Sequence, residues 1–126
     1  GTITWLSAGH NPAYLWRRTS GAIEELGLKG VVLGALESEF FGDAYAVSEI
    51  DLAPGDVLLV YSDGVTEAED PDHAQFGERR LRSVLRNTAS DGAQAVRDGV
   101  VDAVAGFVRG APASDDLTVL VIGRRP

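Results

Sequence analysis

The chain has 126 residues, with 11 Lys and Arg against 19 Asp and Glu and a formal net charge of -8. That balance excludes a nucleic-acid surface, which needs clustered basic side chains. The 44% hydrophobic and 24% charged fractions fit one globular domain or a large piece of one. Cysteine is absent, so disulfides, thiolate zinc sites and a cysteine nucleophile are excluded. A reducing, cytoplasmic setting is expected, with no membrane contact from this segment, because no apolar run approaches the ~20 residues of a span.

Thr2 to Ser7 reads as a strand from almost the first position, with no basic leader ahead of it. So abrupt an opening reads as a piece of a larger domain. Asn11-Pro12 and Ser20-Gly21 are turn signals that separate this run from Ala13 to Arg18 and from Ala22 to Leu26. The three runs are expected to pair as an antiparallel meander, with Trp5 and Trp16 packing in the core from adjacent strands.

Residues 27–42 are glycine-rich and irregular around Leu33-Gly34. Residues 44–52 alternate, Pro54-Gly55-Asp56 supplies a turn, and Val57 to Ser62 is an almost continuous apolar run. Such a run predicts a central strand buried on both faces. Beyond residue 64 the period lengthens. Leu81, Val84, Leu85 and Thr88 define one face of a helix from about Gly77.

Ala93, Val96, Val100, Val104, Phe107 and Val108 define a second helix, with Ser90 or Asp91 as its expected N-cap and Gly110 and Pro112 ending it. Leu117 to Ile122 closes the chain as a strand. Helices segregated from an antiparallel sheet make an α+β layered fold.

Two acidic motifs sit at the ends of apolar strands. Asp63 ends the Val57 run and is followed by Gly64, which is expected to let the backbone turn sharply. Asp115-Asp116 stands just before the last strand. Alone, each reads as an ordinary turn. If the two strands are neighbours, Asp63 and Asp115 or Asp116 converge at one edge, where a cation relieves their repulsion. Carboxylates without His or Cys suit Mg²⁺ or Mn²⁺.

Ser7-Ala8-Gly9-His10-Asn11-Pro12, the Leu33-Gly34 loop, Tyr61 to Ala68 and Asp115-Asp116-Leu117-Thr118 follow one another in the order found in a known family. In these motifs, the Pro54-Gly55-Asp56 turn and the Phe76-Gly77 helix start, the chain resembles bacterial PP2C-like serine/threonine phosphatases of the SpoIIE/RsbU type. The resemblance implies an α-β-β-α sandwich with two Mn²⁺ or Mg²⁺ ions at one edge of the stacked sheets. A metal-activated water would attack the phosphorus of a phosphoserine or phosphothreonine. On that resemblance Asp63 and Asp115 are metal ligands, and Asp116, Gly64, His10 and Asn11 shape the loops or the outer shell. Thr118 is structural. His10 either touches phosphate or orders its own turn. Glu67 is an outer-shell acid or part of a short helical turn, and His73 is exposed.

The family also carries an Asp-Gly segment upstream of Ser7-Ala8-Gly9-His10, and this sequence has none. Residues 1–126 therefore correspond to the C-terminal two-thirds of one domain, with the N-terminal part missing. Two carboxylates make a poor cage for a hexacoordinate ion, so the segment alone is expected to bind metal weakly and to be inactive. By analogy the substrate is a phosphorylated regulatory protein of the anti-sigma-factor-antagonist type. The alternative is a non-catalytic partner-binding module on the same fold. Open sheet edges lead to a homodimer, or to a docked N-terminal fragment.

Overall fold

The computed structural model describes residues 1–27, 30, 32, 45–111 and 115–125. Among the described residues six strands form in chain order: β1 (Thr2–Leu6), β2 (Ala13–Trp16), β3 (Ile23–Leu26), β4 (Val47–Asp51), β5 (Val57–Tyr61) and, last, β6 (Val119–Gly123). Between β5 and β6 lie a one-turn helix α1 (Asp63–Thr66), α2 (Gly77–Thr88), a 3₁₀ turn at Ala89–Asp91 and α3 (Ala93–Val108). Among the described residues no helix is long and apolar enough to cross a membrane.

The apolar run of β5 has the physical origin its sequence implies. The strand lies inside a four-stranded antiparallel sheet of order β3-β2-β5-β6, and both faces of that sheet are covered at its centre. Tyr14 and Trp16 of β2 and Val57, Leu59 and Tyr61 of β5 point to one side. There they meet Leu81 and Leu85 of α2 and Val96, Val100 and Val104 of α3. Ala13, Leu15 and Leu58 point to the other, where Ile50 and Leu52 join them and Ile3 and Trp5 pack against the cluster. Strand alternation thus splits one sheet between two cores. The described residues stack as helices, sheet, sheet.

The expected three-strand meander does not form. β2 and β3 pair as a hairpin, closed by the Arg17 amide donating to the Ala22 carbonyl at 2.9 Å. β1 instead pairs with β4, Thr2 opposite Asp51 through Leu6 opposite Val47, as a separate two-stranded sheet. Trp5 and Trp16 therefore belong to different sheets. Trp16 is buried among the helices, while Trp5 packs half-buried against the second cluster. Alternation shows which side of a strand is buried, not which strand lies next to it.

Both long helices fall where their periodicity placed them. The N-terminus of α3 differs from expectation: Ser90 and Asp91 lie in the 3₁₀ turn, and Gly92 takes the cap position at φ 98°. A positive φ favours glycine there over a side-chain cap. At the other end Arg109 (φ 48°) and Gly110 (φ 82°) leave the helix through left-handed backbone. The Leu33-Gly34 loop, Pro112 and Ser114 lie outside the described residues.

One buried charge anchors the frame. Asp56, 1% exposed, immediately precedes β5. It accepts from the Arg18 amide at 3.0 Å, the Ala53 amide at 3.1 Å and the Arg17 guanidinium at 2.9 Å. Burial opposes its ionisation, but the Arg18 amide, the Arg17 guanidinium and the Ala53 amide together hold its carboxyl below the usual range. Arg17 also clasps Glu24 and donates to the Asp51 carbonyl.

Candidate metal centre

Asp63 and the Asp115-Asp116 pair come together because β5 and β6 are hydrogen-bonded neighbours, with Tyr61 opposite Val119. The ladder continues one step past the strands. The Ser62 amide donates to the Thr118 carbonyl at 3.0 Å, and the Thr118 amide donates to Ser62 Oγ at 2.9 Å. Ser62 Oγ in turn donates to the Asp116 carbonyl at 3.1 Å. A single serine hydroxyl therefore ties the backbone before Asp63 to the backbone of the acidic pair. Ser62 was not singled out from sequence; its position between a buried strand and an aspartate was the available signal.

Ser62 is extended (φ -79°, ψ 160°), and Asp63 then opens α1, its carbonyl accepting from the Glu67 amide at 2.8 Å. Strand, one extended residue and helical turn together set the Asp63 carboxylate at the end of the sheet. Gly64 does not serve as a flexible hinge. It is helical, and a Cβ there would run into the Asp116 carbonyl oxygen and its carbon. Glycine is required at this point by the close approach of the two motifs, not by an unusual backbone angle.

Both proposed ligands are exposed, and each spends one oxygen on its own loop. Asp63 Oδ1 accepts from the Gly64 amide at 3.1 Å, and Asp115 Oδ1 from the Asp116 amide at 2.7 Å. The second oxygen of each has no hydrogen bond among the described residues and is available to a hard cation. Among the described residues no group of three or more His, Cys, Asp or Glu is placed to hold a metal. The donor set fits part of an oxygen-ligated site for Mg²⁺ or Mn²⁺, with further ligands needed to complete it.

The remaining sequence candidates separate from this pair. Exposed His10 donates from Nδ1 to the Asn11 carbonyl at 2.9 Å. No hydrogen bond or ion pair links it to Asp63 or Asp115 among the described residues, so its visible role is to order the turn. Asn11 contributes that carbonyl, and its side chain makes no hydrogen bond among the described residues. Glu67 is exposed just after α1. Asp116 contributes its carbonyl to Ser62. His73 is exposed in the loop after Glu69, as expected, with its ring on the Glu69 carboxylate.

The family model described as Stage II sporulation protein E (SpoIIE) matches residues 1–125. Protein IcfG of Synechocystis is 28% identical over 98% of the chain, and phosphoserine phosphatase RsbU of Bacillus subtilis is also 28% identical over 98%. The chain spans 19% of the first and 35% of the second. The manganese-soaked phosphatase domain of SpoIIE from Bacillus subtilis superposes with a TM-score of 0.68 at 21% identity. That match covers 99% of this chain and 51% of the other, a likeness of fold.

Proposed function

Because the chain belongs to the SpoIIE family, and so forms part of a bacterial PP2C-like phosphatase domain, we propose that the protein carrying it hydrolyses phosphoserine or phosphothreonine on a regulatory protein. The observation that carries this reading is the junction of Asp63 and Asp115 across β5 and β6 through Ser62. Bound Mn²⁺ or Mg²⁺ supplies positive charge for the phosphate and acidifies a water. Asp63 and Asp115 would hold that cation. Ser62 fixes the spacing between their loops, and Gly64 lets the loops meet.

The further ligands are proposed to come from outside the described residues; the chain spans 51% of the SpoIIE phosphatase-domain chain. On this reading residues 1–126 are the C-terminal part of the catalytic domain, and the segment alone binds metal weakly and turns over little. The group removed is on this reading the phosphate of a phosphoserine, the group in RsbU's name, carried here on a regulatory protein. An anti-sigma-factor antagonist is the specific proposal, and the cytoplasm the expected setting.

Leu120 and Ile122 of β6 are exposed, and on this reading they form a surface on which the rest of the domain or a second copy would pack. The test is phosphate release from a phosphoserine protein by the full-length protein with and without Mn²⁺. Metal-dependent turnover that an Asp63→Ala change abolishes supports the reading. Turnover indifferent to both metal and Asp63 refutes it.

A further inference from the structure

Beside the two carboxylates the surface opens into a cavity of about 240 Å³. It lies between α3 and the segment that follows Asp63. Val104 and Ala68, both buried, are part of its wall. Val101 and Leu117 also line it, yet expose 45% and 41% of their surface. Among its described lining residues only Glu69 and Asp115 are charged. Large apolar side chains left in water around a hollow are the signature of a surface built to be covered.

Two lining residues decide what covers it. Gly64 and Asp115 belong both to this cavity and to the junction of the acidic motifs. A polypeptide whose phosphate lies at Asp63 and Asp115 therefore carries its adjacent residues over the opening. The volume falls below the roughly 300–1,000 Å³ typical of pockets for cofactors and drug-sized ligands, and suits a single side chain. The carboxylates of Glu69 and Asp115 disfavour an acidic one.

We infer that this cavity receives an apolar side chain of the protein substrate, one that neighbours the phosphorylated residue in sequence. The inference rests on the phosphatase reading and extends it, naming what is recognised beside the phosphate.

The test uses the full-length protein with Mn²⁺ and a set of phosphoserine peptides. Leu, Ser or Asp is placed in turn at each position flanking the phosphoserine, and p-nitrophenyl phosphate is assayed in parallel. Leucine at one fixed offset is expected to raise kcat/KM by roughly 10- to 100-fold over serine, the factor that burying one aliphatic side chain carries, and mainly through KM. Fluorescence polarisation with non-hydrolysable phosphonate versions of the same peptides is expected to rank them identically. Ala105→Phe, which fills the cavity from an exposed position on α3, is expected to level Leu and Ser. Val101→Asp serves the same purpose should the first variant misfold.

A flat scan, or a leucine preference that survives both variants, overturns the cavity's assignment if the unaltered protein still hydrolyses p-nitrophenyl phosphate. A preference that depends on protein concentration makes a second copy the occupant and overturns it equally. Failure to hydrolyse either substrate overturns the phosphatase reading, and this inference with it.

Discussion

Replacing Gly64 by alanine tests whether the two acidic motifs are held together as described. The added Cβ would fall closer than 3.0 Å to the Asp116 carbonyl oxygen, a separation that real Cβ atoms essentially never show. The obstacle is backbone, so no flexible side chain can swing aside. Residues 115 and 116 must retreat by about 1 Å to restore a normal contact. The bonds that would break first are Ser62 amide to Thr118 carbonyl, Thr118 amide to Ser62 Oγ and Ser62 Oγ to Asp116 carbonyl, at 3.0, 2.9 and 3.1 Å.

At roughly 0.5–1.5 kcal/mol each, and near the lower end because the site is wet, the loss is about 1.5–3 kcal/mol. Urea denaturation of the full-length protein measures that loss, and calorimetric Mn²⁺ titration measures the displacement of Asp115 from Asp63. Gly64→Ala is expected to lower stability by that amount and weaken Mn²⁺ binding by roughly 10-fold or more. Ser62→Ala, which removes two of the bonds without adding bulk, is expected to show a smaller loss in both. A Gly64→Ala protein that matched the unaltered one in stability and in Mn²⁺ affinity would refute the proposed contact.

At the other end of β5, Asp56→Ala is expected to cost about 2–4 kcal/mol, because it removes three part-buried hydrogen bonds to one carboxylate, from the Arg17 guanidinium and the Arg18 and Ala53 amides, while Arg17 keeps Glu24. The pH dependence has a definite sign. The folded carboxyl is depressed, so its contribution is fully present above the unfolded value near ~3.9 and disappears as pH falls through the lower folded value. Urea midpoints of the two proteins are therefore expected to converge on acidification below about pH 4, and a gap unchanged by acid would contradict the account. His10→Ala is expected to leave kcat within roughly 3-fold and stability within about 0.5 kcal/mol, since the ring's hydrogen bond among the described residues is exposed. A far larger fall in kcat with unchanged stability would make His10 a participant in the reaction.

Much of the architecture was legible because burial imposes a period on sequence. Val57 to Tyr61 is apolar throughout because helices cover one face and a second sheet the other. The faces of α2 and α3 followed from their spacing in the same way. The pairing of β1 with β4 was not legible, since alternation in Thr2–Leu6 is equally satisfied by any partner that leaves Ile3 and Trp5 inward. Asp56 looked like an ordinary Pro-Gly-Asp turn residue, and its burial follows only from the meeting of that turn with Arg17 and Arg18, which lie 39 and 38 positions away.

The candidate site divides along the same line. Asp63 and Asp115 stood out because each carboxylate adjoins an apolar strand. The reason for Gly64 did not, because glycine after aspartate reads as a turn. Here it marks a place where two chain segments nearly touch.

The convergence of Asp63 and Asp115 on one cation is tested most directly by calorimetric Mn²⁺ titration of the full-length protein, alone and as Asp63→Asn, Asp115→Asn and the double variant. Both positions are exposed, so the fold is expected to survive each change. The account predicts that either single change weakens binding by at least about 10-fold, and that the double change adds little, as for ligands of a shared site. Full Mn²⁺ affinity in both single variants, or losses that simply add as for two distant sites, would contradict it.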